Sequence, residues 1–206
     1  MPDVTPPLNR SGPLGRLQTV IAGNHGTWRG LVRTTLAQFE FVTGRLAPFL
    51  QCSPTQVDRL VFVCLGNINR SAFADGVARS LGVNTCSIGL STTTGTPAFS
   101  KAVATAPEFG IDLASHRATD LRDYQFRAGD LLLVMEVRHA RRLVAAGLPA
   151  ASIVLLGHWA APHRVHLHDP HTLSDAYFRT CFTLIHSAVH GIVGALRDAG
   201  SPCIRR

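Results

Sequence analysis

Residues 61–71 read Val61-Phe62-Val63-Cys64-Leu65-Gly66-Asn67-Ile68-Asn69-Arg70-Ser71. A short apolar run, suited to a buried strand, ends on a cysteine; five residues later Arg70 and Ser71 open a helical pattern. A tight loop between a strand and a helix N-terminus turns successive backbone N–H groups inward as a nest for tetrahedral oxyanions. The same positive end favours a thiolate on Cys64. Arg70 can grip two phosphoryl oxygens with a bidentate fork, which lysine does poorly. Gly66 allows backbone conformations that other residues resist.

Outward from this loop, the chain alternates strands and helices. Apolar runs at Leu60–Leu65, Thr85–Leu90, Leu131–Glu136 and Ser152–Leu156 predict four strands. Helical patterns at Ser71–Leu81, Lys101–Phe109 and Val137–Ala146 fall between them. A long last helix, Leu173–Asp198, carries Phe178, Phe182, Ile185, Val189, Ile192 and Leu196 on one face. This order predicts an α/β three-layer sandwich around a four-stranded parallel sheet, with function at the carboxyl ends of the strands.

Upstream, residues 1–16 are rich in proline and read as a flexible tail, and 17–58 as a helical extension to a domain spanning 59–206. In the extension, Trp28, Leu31, Val32, Leu36, Phe39, Val42, Leu46 and Leu50 recur at steps of three or four. They predict an amphipathic helix over 27–50, weakened by Gly30 and Gly44 and stopped near Pro48. Its stripe calls for cover: its own domain, a twin in a homodimer, another protein or a membrane surface.

Composition narrows the classes. The 206 residues are 46% apolar and 16% charged, so the chain as a whole is not disordered. No run approaches the length of a membrane span. The net charge is +7, with Lys101 the only lysine; residues 1–58 carry +2 of it and 59–206 carry +5. An arginine surplus that lies mostly in the portion carrying the phosphate loop suits a phosphate ligand better than nucleic acid, for which no aromatic platform or binding fold is evident. Five cysteines, at 52, 64, 86, 181 and 203, form no Cys-x-x-Cys pair, which predicts a reducing, cytoplasmic setting with a free thiol. The N-terminus has no basic region ahead of its short apolar stretch, Leu17–Ala22, and does not read as a secretory signal.

The loop resembles that of the low-molecular-weight protein tyrosine phosphatases, Cys-x-Gly-Asn-x-Cys-Arg-Ser. The resemblance extends over residues 59 to about 200, through Gly110-Ile111-Asp112 with His116 and Ala118, and through Asp130 to Met135-Glu136. It implies Cys64 as nucleophile, Arg70 as phosphate clamp, and Ser71 as the hydroxyl that steadies the thiolate. Leu65, Gly66, Asn67, Ile68 and Asn69 would complete the phosphate loop, with Asn67 holding its shape and His116 supporting Asn67. Phosphate-ester cleavage also needs a proton for the leaving oxygen and then a base for water. Asp169-Pro170, ahead of the last helix, stands where the family has its general acid; Asp175 and Asp130 are weaker candidates. The implied substrate is a phosphorylated protein or a small phosphomonoester, and the implied chemistry needs no metal and no cofactor. Two other readings share the loop. A thiol-dependent arsenate reductase would need a downstream cysteine relay, yet residues 87–180 hold no cysteine. A catalytically weak phosphoprotein-binding module would not need Cys64, Arg70 and Asp169 together.

Several positions depart from the family pattern. His171 and Thr172 follow Asp169-Pro170 where an aromatic is usual, and the loop 91–98 offers no large side chain as a second wall. Trp159 could supply a wall or pack in the core. Ile68 stands where the phosphoarginine branch carries threonine, which favours phosphotyrosine. His158, His163, His166, His168 and His171 cluster near Asp169 at spacings that fit no closed metal site, and are read as shaping the entrance. Arg138, Arg141 and Arg142 read as a solvated basic face. Asn69 replaces the family's second loop cysteine, so no neighbouring thiol can trap an oxidised Cys64 as a disulfide. Peroxide is therefore expected to inactivate the protein for good; full recovery with a thiol reductant, followed by phosphatase assay, would contradict this.

Overall fold

In the computed structural model of the protein, which describes residues 13–204, strand β1 (Arg59–Cys64) lies between two parallel neighbours. Leu60 sits opposite Thr85 of β2 (Thr85–Gly89) on one side and Leu131 of β3 (Asp130–Val134) on the other. β4 (Ile153–Leu155) completes an all-parallel sheet in the order β2-β1-β3-β4. The chain leaves β1 through α3 (Arg70–Ser80) to β2, then crosses back over β1 to reach β3. That reversal opens a crevice beyond the carboxyl ends of β1 and β3, where ligands bind in sheets of this kind. Cys64 ends β1 at this point, and Met135-Glu136 follow β3 into it.

Alternation along β1 divides the interior into two cores. Leu60, Phe62 and Cys64 join α3 and the long α6 (Asp175–Asp198) on one face. There Phe73 of α3 and Phe182 of α6 stack with ring centroids 3.9 Å apart. Val61 and Val63 face the other way, toward Leu143 of α5 (Val137–Ala145). The four predicted strands and the long last helix are thus present, each end within about two residues of expectation. The expected helix over 101–109 is a short α4 (Ser100–Thr105) that tightens into a 3-10 turn at Ala106-Pro107.

The extension differs from its reading in two respects. α1 (Pro13–His25) takes in residues 13–16, assigned above to the tail, because proline is well tolerated in the first turn of a helix. The remainder of that tail, residues 1–12, lies outside the described residues. α2 (Trp28–Val42) starts at Thr27, whose hydroxyl accepts from Gly30 N at 3.0 Å, and ends before the left-handed Gly44 (φ 74°), short of Pro48. Of the covers considered for its stripe, its own domain supplies only part. Trp28, Val32, Leu36, Phe39 and Val42 are exposed, while Gly30 and Ala37 are buried on the inner side. Clearance requires this: a Cβ at Gly30 would lie 2.0 Å from the His25 carbonyl oxygen and 2.7 Å from the His168 ring, so only glycine lets α2 sit this close to both. Beyond α2 the chain turns inward, and Leu46 is wholly buried in the second core beside Val61 and Val63. Residues 41–50 therefore cover part of the sheet. Replacing Leu46 by Ala is expected to cost about 2–5 kcal/mol of stability for the whole fold in one cooperative denaturant transition; a change near zero would mean that this segment peels away freely.

Candidate active site

The loop after β1 is held by its own asparagine. Asn67 has φ 52°, a conformation unusual for a residue with a side chain. Its Nδ2 donates to Ser71 Oγ and Ser87 Oγ, each at 2.9 Å, and its Oδ1 accepts from Thr119 N at 2.9 Å. His116 Nε2 lies 2.7 Å from the Asn67 carbonyl oxygen. Ser71 Oγ, which accepts from Asn67 Nδ2, lies 3.0 Å from Cys64 Sγ and can donate its hydrogen to a thiolate there. Asn67 N donates to the same sulfur at 3.2 Å. Cys64 is buried at the base of this cup, receiving donors from both sides.

Arg70 is the largest fully buried side chain of the described residues. Nη1 donates to Glu136 Oε1 at 2.7 Å and to the Leu167 carbonyl at 2.9 Å, and Nη2 pairs with Asp169 Oδ2 at 2.7 Å. Burial works against the charge, but Asp169 and Glu136 outweigh it and keep Arg70 cationic. Burial would likewise raise the Glu136 carboxyl; Arg70 and then the Arg138 hydrogen bond hold it well below the usual carboxylate range. Arg70 Nε is buried with no partner in the protein, a donor suited to a phosphoryl oxygen. Asp169 is held in turn by His171 N, which donates to Oδ1 at 3.2 Å.

The cleft over the loop, about 210 Å³, is lined by Cys64, Gly66, Ile68, Asn69, Asp169 and His171. Its walls differ from expectation. Phe99, one residue past the loop 91–98, is partly buried against the core and packs its ring 4.6 Å from that of His171, which lines the cleft. Phe99 N is anchored on the Ile68 carbonyl. Trp159 lies instead against Gly191 of α6, in the core. Asn69 Nδ2 approaches His171 Nδ1 at 3.4 Å, so the residue in place of the second cysteine braces the entrance.

The five histidines separate. His158 and His163 pair at 3.3 Å beside Phe41, His166 and His168 stack 5.9 Å apart, and only His171 lines the cleft. Among the described residues no group of three His, Cys, Asp or Glu converges. The arginines of α5 are exposed, as a solvated basic face requires, and each also has a partner: Arg138 has Glu136, Arg141 has Glu40 of α2, and Arg142 has the Leu90 carbonyl. Asp130 is taken up by Arg59 and Tyr124, and Asp175 by Lys101. Cys86 begins β2, at the opposite end of the sheet from Cys64, while Cys181 is buried and its thiol is pushed up to about 12 by burial. Sequence reasoning had assigned no role to Glu136, although an acid ending an apolar strand at the sheet reversal was a readable signal. Phe99 carried no such signal.

The profile of the family described as low molecular weight phosphotyrosine protein phosphatase matches residues 59–201. The probable low molecular weight protein-tyrosine-phosphatase EpsP of Ralstonia solanacearum is 29% identical over 147 residues, 70% of this chain and 99% of that protein. The low molecular weight protein-tyrosine-phosphatase Wzb of Escherichia coli K12 is 30% identical over 142 residues, 68% of this chain and 95% of its own. Among solved structures, the tyrosine phosphatase AmsI of Erwinia amylovora superposes with a TM-score of 0.61 at 28% identity, covering 71% of this chain and 97% of that one.

Two buried histidines make the site acid-labile. Burial, and next to it the Arg70 charge, push His139 down to about 3, and burial pushes His166 down to about 4. Both stay neutral in the fold while the unfolded chain takes up protons below about 6.5. Stability is then full above pH 6.5 and falls by about 1.4 kcal/mol per pH unit for each imidazole as the pH drops toward 4. Urea unfolding at pH 7 and pH 5 should show this loss, and His166→Phe should make it smaller; equal losses in both proteins would refute the assignment.

Proposed function

The chain belongs to the low molecular weight phosphotyrosine protein phosphatase family and is a cysteine-dependent phosphatase; we propose that it hydrolyses phosphotyrosine-type esters, with Cys64, Arg70 and Asp169 as its reacting machinery. One observation carries the reading. Cys64 and Asp169 line the same small cleft, and the Asp169 carboxylate is paired at 2.7 Å with the guanidinium of Arg70 buried behind it. In this reading the phosphoryl group enters the cup over Cys64 and takes Arg70 Nε and Nη2 as bidentate partners. It thereby displaces Asp169 from Nη2 toward the leaving oxygen, and the freed carboxylate takes up a proton from solvent. Sγ bonds to phosphorus as the bond to the phenolic oxygen breaks, and Asp169 gives that oxygen its proton. Asp169 then takes a proton from water, which attacks the phosphocysteine and releases phosphate and the Cys64 thiolate. Ser71 Oγ and the loop amides stabilise the sulfur and the charge on the equatorial oxygens.

The walls support an aryl phosphate as substrate. Ile68 gives the cleft apolar surface, and His171, with Phe99 packed on its ring, stands where an aromatic is more usual. A phosphotyrosine side chain in a protein, or a small aryl phosphate, fits this opening. No described helix is long and apolar enough to cross a membrane. The five described cysteines are all free thiols, which supports a reducing, cytoplasmic setting.

Cys64→Ser is expected to abolish hydrolysis of p-nitrophenyl phosphate while still binding phosphate. Asp169→Ala should slow phosphotyrosine by roughly 10²–10⁴ and p-nitrophenyl phosphate, with its better leaving group, much less. Steady-state kinetics on both substrates decide it: undiminished turnover by the serine variant would overturn the proposal.

A further inference from the structure

The outward face of α2 is the largest feature that the phosphatase reading leaves unused. Trp28, Val32, Leu36, Phe39 and Val42 follow one another at steps of four, four, three and three, and so form one stripe along the helix. They are 65%, 40%, 59%, 59% and 75% exposed. α1 adds Leu17 and Val20, each more than half exposed. A soluble helix normally turns such a stripe inward; here the inward side is given to Gly30 and Ala37.

The charges beside the stripe have one sign. Arg16, Arg29, Arg33 and Arg45 are all exposed, whereas Glu40, the only acid between residues 13 and 50, is held by Arg141 at 2.9 Å. The polar side chains nearby offer little for specific recognition. Thr19, Thr35 and Thr43 turn their hydroxyls back onto the carbonyls of Gly15, Leu31 and Phe39. What remains is aliphatic and aromatic surface bordered by guanidinium groups. A second copy of this face, brought against it by a two-fold axis, would set arginine against arginine. A fitted protein groove would find few directional groups to read. An anionic bilayer satisfies both parts at once: acyl chains take the stripe, Trp28 sits at the interface, and lipid phosphates meet the arginines.

We propose that α2, with α1 beside it, is an interfacial surface that docks the enzyme on anionic membranes. The inner side of the same helix abuts the catalytic loop. Gly30 packs on the His168 ring, Thr27 Oγ1 lies 3.5 Å from His168 Nε2, and Asp169 follows immediately. Docking therefore holds the cleft at a fixed height above the lipid, where phosphorylated segments close to a membrane would reach it.

The test is flotation of the full chain with vesicles of phosphatidylcholine alone or with about one third phosphatidylglycerol, in saturating vanadate so that lipid phosphate cannot be held by the active site. The chain should partition onto the anionic vesicles, at least tenfold more than onto neutral ones, and lose this as salt rises. Leu36→Asp with Phe39→Asp should lower the partition coefficient on the order of a hundredfold, and Arg29→Glu with Arg45→Glu about tenfold or more. All of these positions are exposed, so hydrolysis of p-nitrophenyl phosphate should be unchanged and serves as the control for folding. Absence of partitioning, or equal partitioning of the variants, overturns the proposal. So does a dimer in sedimentation velocity that Phe39→Asp dissociates, which would give the stripe to a second copy.

Discussion

A wholly buried guanidinium organises this molecule. Arg70 is the first residue of α3, yet it is fixed by Glu136 from the end of β3 and by Leu167 O and Asp169 from the segment before α6. Taking one cation out of water costs several kcal/mol unless charge and hydrogen bonds replace the solvent. Two separate parts of the chain supply them, so neither can shift without exposing an unpaired charge unless a ligand takes its place. Glu136 is itself kept ionised by this cation and by Arg138, and the two imidazoles beside it, His139 and His166, are kept neutral. A positive site for a dianion is thus built inside an apolar α/β core, with charge nearly balanced before any ligand arrives.

The second constraint is the left-handed backbone at Asn67. Left alone, that conformation would relax and scatter the amides that face Cys64. The side chain prevents it by bonding to Ser71, Ser87 and Thr119, which belong to α3, β2 and the segment before β3. The loop shape is therefore a property of the sheet edge as much as of the loop.

Much of this was legible in the residues alone because it repeats with a period or sits at a boundary. Strands of continuous Val, Ile and Leu, the Cys64-to-Arg70 spacing and the Asp169-Pro170 step before a long helix all announce themselves. The exceptions share a cause. α2 has a strong helical period, but periodicity states that one side is apolar and not which side meets the protein; Gly30 against His168 decided that through a contact 138 positions away in the chain. Phe99 stands beside His171 because its amide hangs on the Ile68 carbonyl, a long-range bond without a local signature. The partners of Arg141 and Arg142 in α5 were hidden for the same reason, since Glu40 and Leu90 lie far off in sequence.

The pairing of α1 with α6 has a bearing on how the chain comes to be folded. Thr180 Oγ1 donates to the Gly23 carbonyl at 2.8 Å across 157 residues, and Arg164 reaches the Asn24 carbonyl. On a ribosome α1 emerges well before α6, so a contact of such long range closes only after all four strands between them have been made. Through that interval the inner side of α1 and the outer stripe of α2 are both uncovered on the nascent chain. Helix α1 is thus without its partner while the sheet is being made, and would gain from a temporary companion over that interval.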